Sequence, residues 1–342
     1  MILNTSSKGH RSTENRLALL LIAIVLGATA CAITAPFARN DDPLEPGDHE
    51  FSLDHEELTR TYIVHIPPQA EEGKALPLVL AFHGGAGNAN GTKWYYLMDA
   101  IADRDGFIIV YPNGTGRFSE YLLTWNAGTC CGYAMENQVD DVSFVLALLD
   151  DISERTPIDQ DRIYATGLSN GAMMAYRLAV EASDRIAAIA PVGGAMMVDE
   201  FAPTRPVPVM HVHSIDDHRA LYAGGLGPPN PLTGVQVDHP HVEDSLNSWI
   251  VYNGCPQSPI IEPTIYGEQG TQDEGHSATK LIYGPCNEGS EVVIWKLTGA
   301  GHVWPGGRQN YLETILGPST TIIDANEEIW SFFQQFSREQ DS

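Results

Sequence analysis

From residue 58 onward, short apolar runs alternate with longer stretches of helical spacing. Leu58 to Ile66 (LTRTYIVHI) alternates apolar and polar positions with the period of a strand. Leu76 to Phe82 (LPLVLAF) and Gly106 to Tyr111 (GFIIVY) are continuous apolar runs, as in strands buried on both faces of a parallel sheet. Further strands are predicted at 162–165, 186–192, 207–213 and 292–297. Helical spacing falls between them, at 94–102, 140–153, 170–181, 242–252 and 321–336. In the second of these, Val142, Phe144, Val145, Leu148 and Leu149 share one face. Asp140 and Asp141 at its start read as a helix cap favoured by the dipole rather than as an acid–base pair. The alternation predicts an α/β fold, with a mostly parallel central sheet covered by helices on both faces.

The first thirty residues follow a different pattern. Lys8, Arg11 and Arg16 precede an uncharged run, LALLLIAIVLGATA, over 17–30. The run is shorter than the roughly 20 residues of a membrane span and ends in small residues, so 1–30 is expected to be a secretory signal peptide. An uncleaved N-terminal anchor is the alternative. Ala28-Thr29-Ala30-Cys31 is similar to a bacterial lipobox, which would make Cys31 a lipidation site and a membrane tether; ordinary signal-peptidase cleavage is the close alternative. Residues 31–47, rich in Pro, Asp and Glu, read as a linker, and 48–342 as one folded domain. Either route exports the protein, to the outside, the periplasm or the cell envelope. The net charge of −25 argues against nucleic acid and against electrostatic docking on anionic lipid. Cys130, Cys131, Cys255 and Cys286 remain for disulfides, with three pairings open.

Chemistry concentrates in a few loops. Gly167-Leu168-Ser169-Asn170-Gly171 lies between a predicted strand and a predicted helix, the setting in which G-x-S-x-G forms a sharp turn with an exposed serine. A serine hydroxyl needs a base to take its proton. The candidate is His302, in the glycine-flanked loop Gly301-His302-Val303-Trp304-Pro305-Gly306-Gly307 after the strand at 292–297. The acid that orients the base should follow the strand at 207–213, where Asp216 and Asp217 both qualify. His83-Gly84-Gly85 follows the strand at 76–82 and offers the Gly85 N–H to an oxyanion hole, with the Asn170 N–H as its partner. A rival sits at His211-Val212-His213-Ser214-Ile215-Asp216-Asp217-His218, which is similar to a zinc-hydrolase motif but one residue too long.

The Ser169 segment, the HGG loop at His83, Trp125-Asn126-Ala127-Gly128-Thr129-Cys130-Cys131-Gly132, Val139-Asp140-Asp141-Val142 and the loop at His302 occur in this order. Together they resemble the poly(3-hydroxybutyrate) depolymerase and feruloyl esterase-like group of α/β-hydrolases, over about 48–337. The resemblance implies the α/β-hydrolase fold in a single catalytic domain. The family's H-G-T-x-D segment matches His213-Ser214-Ile215-Asp216-Asp217, with Tyr222-Ala223-Gly224-Gly225 beyond it, and this implies Asp217 as the acid. It also implies a Cys255–Cys286 disulfide, with Cys130 and Cys131 as an adjacent pair, bridged or reduced. His83, Trp125, Tyr222 and Trp304 are substrate-binding candidates. For the two tryptophans, stacking on an acyl or aromatic group stands beside packing around the loops.

The expected reaction is acyl transfer from a small ester or oligoester to water through Ser169, His302 and Asp217, with no cofactor or metal. Three rivals stand beside it: a serine peptidase on the same fold, a zinc-dependent hydrolase using His211 and His213, and a non-catalytic surface binding protein.

Overall fold

The computed structural model describes residues 44–338 except 71–73, 119 and 231–233. The expected signal peptide, Cys31 and most of the 31–47 linker lie outside the described residues. The strands are β1 (Gly47–His55), β2 (Leu58–Ile66), β3 (Leu76–Phe82), β4 (Ile108–Pro112), β5 (Ile158–Leu168), β6 (Ala188–Val192) and β7 (Val209–Ser214). There follow β8 (Gly225–Leu226), β9 (Asp238–His239), β10 (Ile260–Ile261), β11 (Ile265–Tyr266), β12 (Ser277–Tyr283) and β13 (Val292–Thr298). Eleven of them form one sheet in the order β1-β2-β4-β3-β5-β6-β7-β13-β12-β10, with β11 also on β12. Its centre, from β4 through β13, is parallel. Antiparallel pairs extend both sides, β2 on β4 with β1 beyond, and β12 on β13. This is the mostly parallel α/β sheet that the alternation predicts, in the α/β-hydrolase fold that the resemblance implies.

The helices are α1 (Ala89–Tyr96), α2 (Asp99–Asp105), α3 (Gly132–Glu136), α4 (Asp141–Ser153), α5 (Asn170–Glu181), α6 (Val242–Tyr252), α7 (Glu313–Leu316) and α8 (Ala325–Phe333). Because side chains alternate across a strand, each central strand feeds two cores. Leu78, Leu80 and Phe82 join α4, α5 and α6 on one face, while Val79 and Ala81 join α1, α2 and α8 on the other.

Several predicted boundaries move. The helix expected over 94–102 is two, because Leu97 takes a left-handed conformation (φ 61°) and ends α1. The closing helix starts only at Ala325, where Asp324 accepts the Asn326 and Glu327 N–H groups. The linker is shorter than expected: Leu44 already packs against the core, and Gly47 pairs with Ile66. Asp140 caps α4 by accepting the Ser143 N–H, as expected. Asp141 does something else. It is fully buried, ion-paired with Arg60 at 2.7 Å, and accepts the Asn126 N–H. Cys255 is bonded to Cys286, and Cys130 to Cys131.

Candidate active site

Ser169 occupies the turn between β5 and α5 with φ 61° and ψ −121°, a conformation L-residues rarely adopt. Its N–H donates to the Val192 carbonyl at 2.9 Å, so the strained turn is anchored to β6. The flanking glycines are required by crowding. A methyl group at Gly167 would come within 2.6 Å of the Phe82 oxygen, and one at Gly171 would collide with the same carbonyl. The G-x-S-x-G spacing thus follows from the close approach of α5 and β5 to the end of β3.

The same approach brings Gly85 beside Asn170, with a methyl built on Gly85 only 3.8 Å from the Asn170 Cβ. Asn170 is the first residue of α5, so its N–H lies outside the helix hydrogen-bond ladder. Its carboxamide is buried and clamps Trp125, accepting that residue's N–H at 2.7 Å and donating to its carbonyl at 3.0 Å. His83 holds the other side of the loop. Its Nε2 accepts the Gly114 N–H at 2.9 Å, so its Nδ1–H donates to the Gly84 carbonyl at 2.8 Å. Burial pushes the His83 imidazole down to about 4, which keeps it neutral for both bonds.

His302 stands beyond β13 and Asp217 beyond β7, a parallel neighbour. His302 Nδ1–H donates to Asp217 Oδ2 at 2.6 Å, which leaves Nε2 for a nucleophile. Asp217 Oδ1 accepts the N–H groups of Arg219 and Ala220 at 2.7 and 2.9 Å. Burial would raise the Asp217 carboxyl, but the facing His302 charge and the bonds from His213 and His302 hold it far below the usual carboxylate range. Asp216 is exposed and accepts the Gly299 N–H at 2.7 Å, tying the acid loop to the base loop. Ser214 Oγ–H makes a second tie, to the Ala300 carbonyl.

Ser169, His302, Gly85 and Asn170 line one cavity of about 740 Å3. Three of the four substrate-binding candidates are not on its wall. Trp125 donates its indole N–H to the His83 carbonyl and Trp304 its indole N–H to Asn326, both within the core, and Tyr222 donates its hydroxyl to the half-exposed Glu243. His83 reaches the wall, but both ring nitrogens are engaged with backbone. For Trp125 and Trp304 the geometry is that of packing around the loops rather than stacking in the cavity. Residues that the motifs did not single out take up the wall, among them Met173, Val235, Val237, Leu316, Arg117 and Arg219.

The histidines of the zinc reading face one another. His211 Nε2 and His213 Nδ1 are 3.0 Å apart, and their other nitrogens contact the Tyr176 hydroxyl and the Ala220 carbonyl. Each ring would have to give up one of these bonds to bind a metal. Asp48, His65 and Asp99 also cluster, but the Lys93 ammonium already pairs with both aspartates there.

Residues 60–226 match the family described as esterase PHB depolymerase. Feruloyl esterase D of Neurospora crassa is 23% identical over 95% of this chain and 99% of its own. Feruloyl esterase B of Piromyces equi is 27% identical over 74% of this chain, and a bifunctional acetylxylan esterase/xylanase of Neocallimastix patriciarum is 27% identical over 80%. The aligned regions span only 44% and 33% of those two proteins' own lengths. Among solved structures, a thermostable esterase superposes with a TM-score of 0.50 at 15% identity, covering 85% of this chain and 63% of its own. An acylaminoacyl peptidase of Pyrococcus horikoshii also gives 0.50, at 16% identity over 87% of this chain and 43% of its own. These superpositions establish the shared fold. Together with the motif order along the chain, the match over 60–226 and these relatives support the poly(3-hydroxybutyrate) depolymerase and feruloyl esterase-like family of α/β-hydrolases.

Proposed function

We propose that this protein is an exported serine carboxylesterase, with Ser169 as nucleophile, His302 as base and Asp217 as orienting acid. The observation that carries this reading is the buried 2.6 Å Asp217–His302 bond beside a cavity that Ser169 also lines in a strained turn. His302 Nε2 takes the Ser169 proton as Oγ attacks the ester carbonyl. The N–H groups of Gly85 and Asn170 receive the oxyanion. His302 returns the proton to the departing alcohol, and water releases the acyl group by the same steps in reverse order.

The cavity suits a small ester or an oligoester more than a polymer surface, since about 740 Å3 is the volume of a pocket for a small molecule. Its largely apolar wall, with Met173, Val235 and Val237, favours a feruloyl, short acyl or 3-hydroxybutyrate-type chain. The proposed organisation is a signal peptide over 1–30, an acidic linker from 31, with Cys31 as a lipid anchor, and one catalytic domain running to 342.

The test is hydrolysis of p-nitrophenyl acyl esters, methyl ferulate and 3-hydroxybutyrate oligomers by the protein and its Ser169→Ala variant, with matched amides alongside. Ester turnover that disappears in the variant supports the reading, and the best substrate identifies the acyl class. Undiminished turnover in the variant would remove Ser169 as nucleophile. A preference for amides would make the protein a peptidase.

A further inference from the structure

Behind Asp217 lies a row of buried polar groups that the proposed mechanism does not use. His211 and His213 sit two residues apart on β7 and so point to the same face of the sheet. Tyr176, on α5, reaches the same face. The Tyr176 hydroxyl is 3.0 Å from His211 Nδ1, and His211 Nε2 is 3.0 Å from His213 Nδ1. His213 Nε2 lies 2.8 Å from the Ala220 carbonyl and 3.4 Å from Asp217 Oδ2, the oxygen that also accepts the His302 Nδ1–H bond.

The hydrogen positions follow from the last contact. A carbonyl only accepts, so His213 Nε2 carries the hydrogen, which leaves Nδ1 to accept from His211. His211 must then donate from Nε2 and accept at Nδ1, and Tyr176 must donate its hydroxyl. Burial, and then the neighbouring His213, keep His211 far below the ordinary histidine range, and burial raises the Tyr176 phenol. Every donor in the row therefore points the same way, ending on the Ala220 carbonyl, with Asp217 Oδ2 3.4 Å from the same His213 nitrogen. Aligned bonds of this kind strengthen one another in a low-dielectric interior.

We propose that Tyr176, His211 and His213 form a directional hydrogen-bonded row that fixes Asp217 Oδ2, with His213 as a positioning residue for the Asp217–His302 pair. This rests on the serine-esterase reading and adds a role to it. The row starts on the helix that carries Ser169 at its N-terminus and ends on the acid loop, so it links nucleophile and acid through the interior. The other histidine bearing on the pair is His239 on β9.

The experiment compares the full-length protein with His213→Leu, His213→Gln and Tyr176→Phe, measuring kcat and KM for a p-nitrophenyl acyl ester from pH 5 to 9. Glutamine keeps an amide N–H near the position of Nε2, whereas leucine does not. The expected result for His213→Leu is a kcat lower by about tenfold to a hundredfold, the range typical of lost supporting bonds, with KM nearly unchanged. The acid limb of its kcat/KM profile should move to higher pH, because Asp217 no longer shares Oδ2 and holds the His302 imidazolium more tightly. His213→Gln should recover most of the rate, and Tyr176→Phe should lose only a few fold. If His213→Leu does not fold, His213→Gln and Tyr176→Phe carry the test through small acid-limb shifts. Unchanged profiles in every folded variant would overturn the row while leaving Ser169 in place. Activity persisting in Ser169→Ala would instead overturn the underlying reading.

Discussion

The indole of Trp304 lies flat on the ring of Tyr96, with centroids 3.8 Å apart and planes 6° from parallel. The Tyr96 hydroxyl donates to the Phe82 carbonyl at 2.9 Å and accepts the Leu168 N–H at 2.8 Å. One phenol therefore pins the end of β3, which leads to Gly85, to the residue before Ser169. Its ring supports the loop that carries His302. Replacing Tyr96 with Phe keeps the stack but leaves a buried N–H and a carbonyl without partners. The expected cost is about 1–3 kcal/mol of stability, with a lower kcat and little change in KM. Denaturant unfolding together with steady-state kinetics checks both.

Asp216 and Asp217 are adjacent but do different things. Asp217→Asn should reduce kcat by about 10^4-fold, because an amide facing Nδ1 favours the wrong histidine tautomer. Asp216→Asn should stay within about tenfold, since it weakens only the exposed tie to Gly299. Equal losses from both variants would contradict this assignment.

His83 gives the fold a pH dependence. In the folded protein it stays neutral down to about 4, whereas an unfolded histidine takes a proton near 6.5. Between those values the unfolded chain binds the extra proton. Stability from this residue is therefore complete above about pH 6.5 and declines toward pH 4, by about 3 kcal/mol. Urea midpoints measured from pH 4 to 7 should fall more steeply for the parent protein than for His83→Gln.

Arg60 and Asp141 form a pair that is almost fully buried, and Asp141 also holds the Asn126 N–H beside Trp125. Removing one charge strands the other, so Asp141→Ala should cost about 3–5 kcal/mol. Arg60→Met combined with Asp141→Ala should cost less than the two single changes together, which a double-mutant cycle reads directly.

Much of the site could be read from the sequence because local crowding dictates it. The glycines at 167 and 171 answer to the Phe82 carbonyl, and α5 begins at Asn170 as the motif predicts. Features set by distant partners could not be read in this way. Asp141 looks like a dipole partner until Arg60, from a strand far earlier in the chain, closes on it. His211 and His213 show ligand-type residues, but only the fold reveals that they face one another. β1 has no apolar run to announce it, because its inward positions are only half-buried and its outward ones are polar. β12 has mostly half-buried positions and presents no apolar run. Trp125 and Trp304 read as candidate stacking residues because a large aromatic serves a core and a binding wall equally well.

The sheet order has a consequence for biogenesis. The loop bearing Gly85 follows β3, Ser169 follows β5, Asp217 follows β7 and His302 follows β13, and these strands run parallel in one block with β6. A growing chain emerges with its N-terminal parts first. It therefore holds Gly85 and Ser169 well before β13 can insert beside β7 and deliver His302. On the proposed mechanism Ser169 has no base until then, so the nascent polypeptide would be unarmed through most of its synthesis, with the last parallel strand to enter the sheet as its safety catch.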